Sequence, residues 1–288
     1  IGLTIVGMGT SMPELAASVQ AALAGSPGIA LGNIVGSNIA NLLLILGLAV
    51  SLSPFTVPRG VLWRDGGVGL VCAAVLIAAG YTLGLTRGVG ILLVIGMFAY
   101  VYLAFRQEKA AVGHGAAYDK ALALEEIDPA LVPSTKPQGS IVLAAASLVA
   151  GIVLIVSGGS LLVDAAITIS ANLGVSDEVI GLTVVAVGTS LPELVTSAIA
   201  AIKRQGEIAL GNVLGSNIYN VLFIGGVTGI VAPTEIPASI LNVDLLVLLG
   251  VSALVMVFAF TGGRLSRVEG ALLVIGYSGY TAFTAGLI

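Results

Sequence analysis

The amino-acid sequence predicts an all-α polytopic membrane protein built from two inverted-topology repeats, with nine helices visible of an expected ten in a five-plus-five arrangement. Composition is the first reason: 57% of the 288 residues are hydrophobic, only 9% are charged, and the mean hydropathy is +1.11. A soluble domain carries about 25% charged residues, so this chain cannot clothe a water-facing surface. The second reason is that its apolar residues come in continuous runs, without the alternation of a barrel strand. The third is that the chain matches itself at a fixed offset. Lys and Arg total 11 against 15 Asp and Glu, which excludes a nucleic-acid-binding surface and fits no disordered composition. The 39 glycines follow no Gly-X-Y period and suit packed membrane helices. The lone cysteine, Cys72, has no internal disulfide partner.

A membrane helix needs about 20 mainly apolar residues. Cutting at proline, glycine and charge clusters places spans at 1–23, 28–52, 60–83, 88–105, 140–163, 178–202, 207–231, 238–260 and 267–286. The first run lacks a basic n-region and a small-residue cleavage site, so it reads as a span and not a signal peptide. Residues 106–138 form the one long polar stretch, with His114, Lys120, Glu125, Glu126 and Pro133, and read as a solvent-exposed connector. Three regions result: a first repeat over 1–105, the connector over 106–138, and a second, inverted repeat over 139–288.

Threading the spans alternately puts Arg59, Arg64, Arg106, Lys109, Lys120, Lys136, Lys203, Arg204, Arg264 and Arg267 on one face and Arg87 on the other. Excess Lys and Arg mark the cytoplasmic side. The connector is therefore expected in the cytoplasm and the C-terminus outside, in the inner membrane of a prokaryote.

At an offset of 179, residues 1–50 match residues 180–229 at 27 positions. IGLTIVGMGTSMPEL pairs with IGLTVVAVGTSLPEL, and ALGNIVGSNIAN with ALGNVLGSNIYN. Pro54, Pro58 and Asp65 pair with Pro233, Pro237 and Asp244, and GILLVIG at 90–96 pairs with GALLVIG at 270–276 after a one-residue slip. Five helices separate equivalent points, and an odd number inverts the second copy. Inverted repeats mark secondary transporters, with the substrate site near the midplane where the repeats meet. The helix at 140–163 has no counterpart in the first repeat, so a further helix is expected upstream of Ile1.

Glu14 and Glu193 occupy matching points in the middle of apolar helices. A charge at that depth costs roughly 2.5–3.5 kcal/mol or more and defaults to function. Pro13 and Pro192 lack an N–H, which frees the carbonyls of Gly9 and Gly188. Thr10, Ser11, Thr189 and Ser190 add hydroxyls alongside. The second string adds Asn33, Ser37, Asn38 and Asn41, repeated as Asn212, Ser216, Asn217 and Asn220. Gly32 with Gly36, and Gly211 with Gly215, form GxxxG pairs that allow close helix approach, and some of the asparagines are expected only to tie helices together. Two carboxylates with hydroxyl, amide and carbonyl oxygens suit a hard cation with 6–8 oxygen ligands, Ca²⁺ first. Neither His nor Cys accompanies them to favour zinc or copper. Two negative charges neutralise one Ca²⁺, or hold Na⁺ or H⁺ in exchange.

These two paired strings, GTSMPEL with GNIVGSNIAN and GTSLPEL with GNVLGSNIYN, resemble the α-repeats of the cation/Ca²⁺ exchanger superfamily, specifically prokaryotic sodium/calcium exchangers. The resemblance covers nearly the whole chain except the connector. It implies ten helices, two-sided alternating access, and Na⁺ and Ca²⁺ as transported substrates, with no cofactor, no nucleic acid and no enzymatic reaction. It implies that Glu14 and Glu193 are the central Ca²⁺ ligands, shared with Na⁺. Thr10, Ser11, Thr189, Ser190, Ser37 and Ser216 then supply further oxygens, Gly7 and Ala186 backbone carbonyls, and Asn41 a central amide. Asn220 stands where some relatives, the potassium-dependent ones included, carry Asp, which argues against K⁺ co-transport. The same glutamates suit Ca²⁺/H⁺ exchange, or a structural Ca²⁺ site in a membrane scaffold or sensor that transports nothing.

The topology is directly testable. Ser26 and Gln205 lie in matched loops that inversion places on opposite sides of the membrane. Single cysteines at these positions, in a Cys72→Ala background, are expected to react with an impermeant thiol reagent in intact cells at 26 and not at 205. Labelling of both from one side means that the repeats are parallel.

Overall fold

The computed structural model describes residues 10–110 and 141–287. Most of the expected connector, 111–140, lies outside the described residues, as do residues 1–9, including Gly7. Helices stand at all the predicted places: α1 (Met12–Leu23), α2 (Pro27–Leu52), α3 (Arg59–Thr82), α4 (Arg87–Ala110), α5 (Ile141–Leu173), α6 (Asp177–Thr189), α7 (Leu191–Ile202), α8 (Gly206–Val231), α9 (Ile240–Gly262) and α10 (Arg267–Thr284). Helices α6 and α7 are the two halves of one predicted span, bent by 51° at Ser190. Among the described residues, five helices are long and apolar enough to cross a membrane, or six with that bent pair counted as one.

Two elements depart from the sequence reading. Helix α5 runs ten residues past the predicted end at 163, through Asp164. Asp164 is an isolated charge, and nothing stops the helix before Gly174, which ends it at φ +64°. Outside the helices there are also two short backbone pairings. Strand β1 (Phe55–Thr56) pairs antiparallel with β2 (Arg264–Leu265), and an isolated bridge joins Leu85 to Thr234. Each ties the chain just after one helix to the loop of the other repeat, where backbone groups need partners that no helix supplies.

Helices α2 and α8 form the centre. In their most apolar stretches 83% and 78% of residues are buried, against 33%, 22% and 33% in α3, α4 and α9. The outer helices turn large apolar side chains outward, Leu92, Leu154 and Ile275 among them. That distribution suits lipid, where an exposed leucine costs nothing. The polar strings of α1, α2, α6, α7 and α8 are instead drawn inward, because a polar group in hydrocarbon must find a partner. Helix α1 packs on α5 and α2, α6 packs on the first half of α2, and α7 packs on α8.

The pseudo-two-fold relation is visible contact by contact. The bridges Phe55–Leu265 and Leu85–Thr234 are images of each other under the repeat offset. So are the hydrogen bonds from Tyr100 to Asp65 at 2.9 Å and from Tyr280 to Asp244 at 2.8 Å. Close backbone crossings repeat as well. A Cβ on Gly90 would lie 2.6 Å from the Gly226 carbonyl oxygen, and one on Gly47 would lie 3.0 Å from that of Gly270.

The tightest crossing near the centre is α2 on α6. A Cβ on Gly36 would meet the Leu182 carbonyl oxygen at 2.6 Å and the Ala186 Cβ at 2.9 Å. These are main-chain and fixed atoms, so the helices must part to admit a methyl group. Gly36→Ala is expected to lower unfolding free energy in detergent by about 1–3 kcal/mol. Gly250→Ala, with no atom within 4 Å of its added Cβ, is the matched control and should be neutral or stabilising.

Candidate ion site

The site begins at two irregular turns, at Ser11 and Ser190. Ser11 and Ser190 leave helical geometry at ψ 11° and ψ 9°, each two residues before a proline that starts the next helical segment. Proline is well tolerated at a helix start because its missing N–H has no partner to lose. Each break points a hydroxyl and the following glutamate into the centre of the molecule. Ser11, Glu14, Ser190 and Glu193 are all buried, at 0%, 1%, 2% and 0% exposure.

The two glutamates are held across the repeats. Ser11 Oγ donates to Glu193 Oε1 at 3.0 Å, and Ser190 Oγ donates to Glu14 Oε1 at 3.0 Å. One carboxylate oxygen of each is thus fixed by the opposite repeat. The other, Glu14 Oε2 and Glu193 Oε2, has no hydrogen-bond partner among the described residues. Buried carboxylate oxygens left without donors are costly, and both lie where a cation would remove the cost.

The asparagine strings divide into two groups. Asn33 Nδ2 donates to Ser18 Oγ at 2.9 Å and to the Glu14 carbonyl at 3.2 Å. Its Oδ1 accepts from Thr189 Oγ1 at 3.0 Å and from Ser37 Oγ at 3.4 Å. Asn33 is therefore a tie between α1, α2 and α6, as expected of some asparagines. Asn212 makes the matching bond to Ser197 Oγ at 3.2 Å. Ser18 and Ser197 were not singled out by sequence reasoning; their signal is a serine retained four residues after each glutamate, on the same helix face.

Asn41 and Asn220 belong to the second group. Each opens a wide π turn, Asn41–Ile45 and Asn220–Gly225, a feature frequent at functional sites. Their side-chain carbonyls, Asn41 Oδ1 and Asn220 Oδ1, are buried with no partner among the described residues, as is Ser216 Oγ. The turn at 41–45 packs against α7, which carries Glu193, and the turn at 220–225 packs against α1, which carries Glu14.

The structure thus brings Ser11, Glu14, Asn41, Ser190, Glu193, Ser216 and Asn220 to the central helices with unpartnered or cross-linked oxygens. Thr10 is the first described residue and is helical. Thr189 and Ser37 are engaged already: both donate to the Ala186 carbonyl, at 3.3 and 3.4 Å, as well as to Asn33. Gly7 lies outside the described residues. Among the described residues no group of three or more His, Cys, Asp or Glu side chains converges. The donor set is oxygen throughout, two carboxylates with hydroxyls and amides, which is the chemistry of a hard, weakly polarising cation.

Comparison with known proteins agrees with this chemistry. The family described as "Sodium/calcium exchanger protein" matches residues 1–106 and 143–286. The chain is 35% identical over 302 residues to the sodium/calcium exchanger MaX1 of Methanosarcina acetivorans, covering 96% of this chain and 86% of that one. It is 34% identical over 281 residues to the inner membrane protein YrbG of Escherichia coli, covering 96% and 83%. A solved structure of the sodium-calcium exchanger NCX_Mj, soaked with Na⁺ and Sr²⁺, superposes with a TM-score of 0.68 at 32% identity, covering 98% of this chain and 85% of that one.

Proposed function

The chain belongs to the sodium/calcium exchanger family and is a membrane transporter that exchanges a cation for Ca²⁺; on that premise we propose that the counter-ion is Na⁺ and that exchange proceeds by alternating access to one site between the inverted repeats. The carrying observation is the crossed pair of serine–glutamate bonds, which leaves Glu14 Oε2 and Glu193 Oε2 unpartnered at the centre. Both glutamates act as ligands to the transported ion. Ser11, Ser190, Ser216, Asn41 and Asn220 supply oxygens beside them, with Thr10, Thr189, Ser37 and the Ala186 carbonyl completing the described part of the set.

The electrostatics dictate exchange. Two carboxylates facing an empty low-dielectric site repel each other, so the unloaded site is costly to carry across the membrane. A divalent cation cancels that charge, and so do monovalent cations taking the same oxygens. Loading by one substrate therefore excludes the other, and only a loaded site is cheap to move between its two openings. Inversion supplies the openings: the segments that close the site on one side have matched copies that close it on the other. The MaX1 and NCX_Mj names state Na⁺ and Ca²⁺ for those proteins, which supports Na⁺ here. The excess of basic residues on one face supports a cytoplasmic connector and an outer C-terminus in a prokaryotic inner membrane.

Ca²⁺ flux into proteoliposomes tests this when Na⁺, K⁺ and pH gradients are imposed separately. Flux is expected with a Na⁺ gradient alone and without any K⁺ requirement, since Asn220 supplies no third carboxylate. Flux driven only by pH identifies a Ca²⁺/H⁺ exchanger, and no flux under any gradient identifies a protein that only binds Ca²⁺. Glu14→Gln and Glu193→Gln are each expected to abolish flux while the protein still elutes as a folded species in detergent, because Gln keeps the shape and removes half of the site's charge. Near-normal flux in either variant overturns the paired-carboxylate site.

A further inference from the structure

Asn38 and Asn217 close a ring across the pseudo-two-fold axis, and Asn41 and Asn220 bond onto it. Asn38 Nδ2 donates to the Asn217 carbonyl at 3.3 Å, and Asn217 Nδ2 donates to the Asn38 carbonyl at 3.1 Å. Asn220 Nδ2 then donates to Asn38 Oδ1 at 3.0 Å, and Asn41 Nδ2 donates to Asn217 Oδ1 at 2.9 Å. All four residues are buried, at most 7% exposed.

The ring has a direction, and the main chain sets it. A backbone carbonyl only accepts, so the amide face that Asn38 turns to the Asn217 carbonyl must be its NH₂. Its oxygen then faces Asn220, and an oxygen demands a donor. Asn220 must answer with its own NH₂, which leaves Asn220 Oδ1 as the atom outside the ring. The same chain from the Asn38 carbonyl through Asn217 fixes Asn41 and frees Asn41 Oδ1. Those two oxygens are the ones without partners among the described residues. Neither amide can rotate by half a turn without setting oxygen against oxygen in the ring.

We infer that Asn38 and Asn217 are positioning residues: they do not bind the transported ion, but lock the amides of Asn41 and Asn220 so that a carbonyl, never an NH₂, faces it. This rests on the reading of the centre as the ion site. In consequence the residue tolerated at 220 depends on the one at 38. With Asn38 present, a carboxylate at 220 sets acceptor against acceptor. Without Asn38, a carboxylate is the better residue, because it shows oxygen in either orientation.

The test is Ca²⁺ titration by calorimetry of the whole protein in detergent, with Glu14→Gln alongside. Asn38→Leu keeps the bulk and removes the ring contact; it is expected to weaken Ca²⁺ binding about 10–100-fold, as for loss of a group supporting a metal ligand. Asn220→Asp in the Asn38→Leu background is expected to recover about tenfold of that loss, whereas Asn220→Asp alone gives no tightening although it adds a charge. The mirror pair, Asn217→Leu with Asn41→Asp, must behave alike and carries the same test if Asn38→Leu does not fold. An unrescued loss means that Asn38 only packs α2 against α8, and unchanged binding in Asn38→Leu removes the ring from the site; either overturns the inference. Ca²⁺ binding that survives in Glu14→Gln overturns the ion-site reading, and this inference with it.

Discussion

The structure depends on one constraint: two carboxylates must be kept in the middle of a hydrocarbon-spanning bundle. Desolvating a carboxylate costs several kcal/mol even after the surroundings relax. The fold meets that cost partly by crossing the repeats, so that Ser11 serves Glu193 and Ser190 serves Glu14. In the proposed reading, the transported ion meets the remainder. The central helices α2 and α8 are the most buried, and the polar strings face inward around them, where most of their groups find partners.

The prolines work through what they lack. With no N–H at 13 and 192, the helices break after Ser11 and Ser190, and the serines reach a glutamate of the opposite repeat that a continuous helix would hold out of range. The π turns at Asn41 and Asn220 do the corresponding work on α2 and α8. Each adds a residue to a turn, which shifts the face presented beyond it. Irregular backbone at membrane depth is tolerated where it lines a site or lies buried in protein, and these four irregularities lie where the repeats meet.

Inversion explains why contacts come in pairs whose distances nearly agree. The Tyr100–Asp65 and Tyr280–Asp244 bonds hold α4 to α3 and α10 to α9, the Gly90–Gly226 and Gly47–Gly270 crossings hold α4 to α8 and α10 to α2, and the two backbone bridges join the loops between them. The images differ in places. Asp65 also takes a bidentate pair from Arg64, at 2.6 and 3.0 Å, where the second repeat has Val243 and Asp244 keeps only tyrosine.

The sequence by itself determined the membrane class, the place of the helices, the inversion and the two glutamates, since run length, offset and the cost of a buried charge are properties of the chain alone. It determined the breaks too, because proline removes a donor wherever it stands. What it left open was which oxygens are spent on the protein and which are free. Asn33 and Asn41 are both amides in one apolar helix, yet Asn33 has donors on its oxygen from Thr189 and Ser37, while Asn41 has none among the described residues. Likewise Ser37 is engaged with the Ala186 carbonyl, and Ser11 with a carboxylate on the other repeat. The β1–β2 pair and the extension of α5 past Asp164 were equally illegible. Only the tertiary structure decided these, because a hydrogen bond between residues 182 positions apart depends on the angle at which two helices cross, and the sequence of neither helix contains that angle.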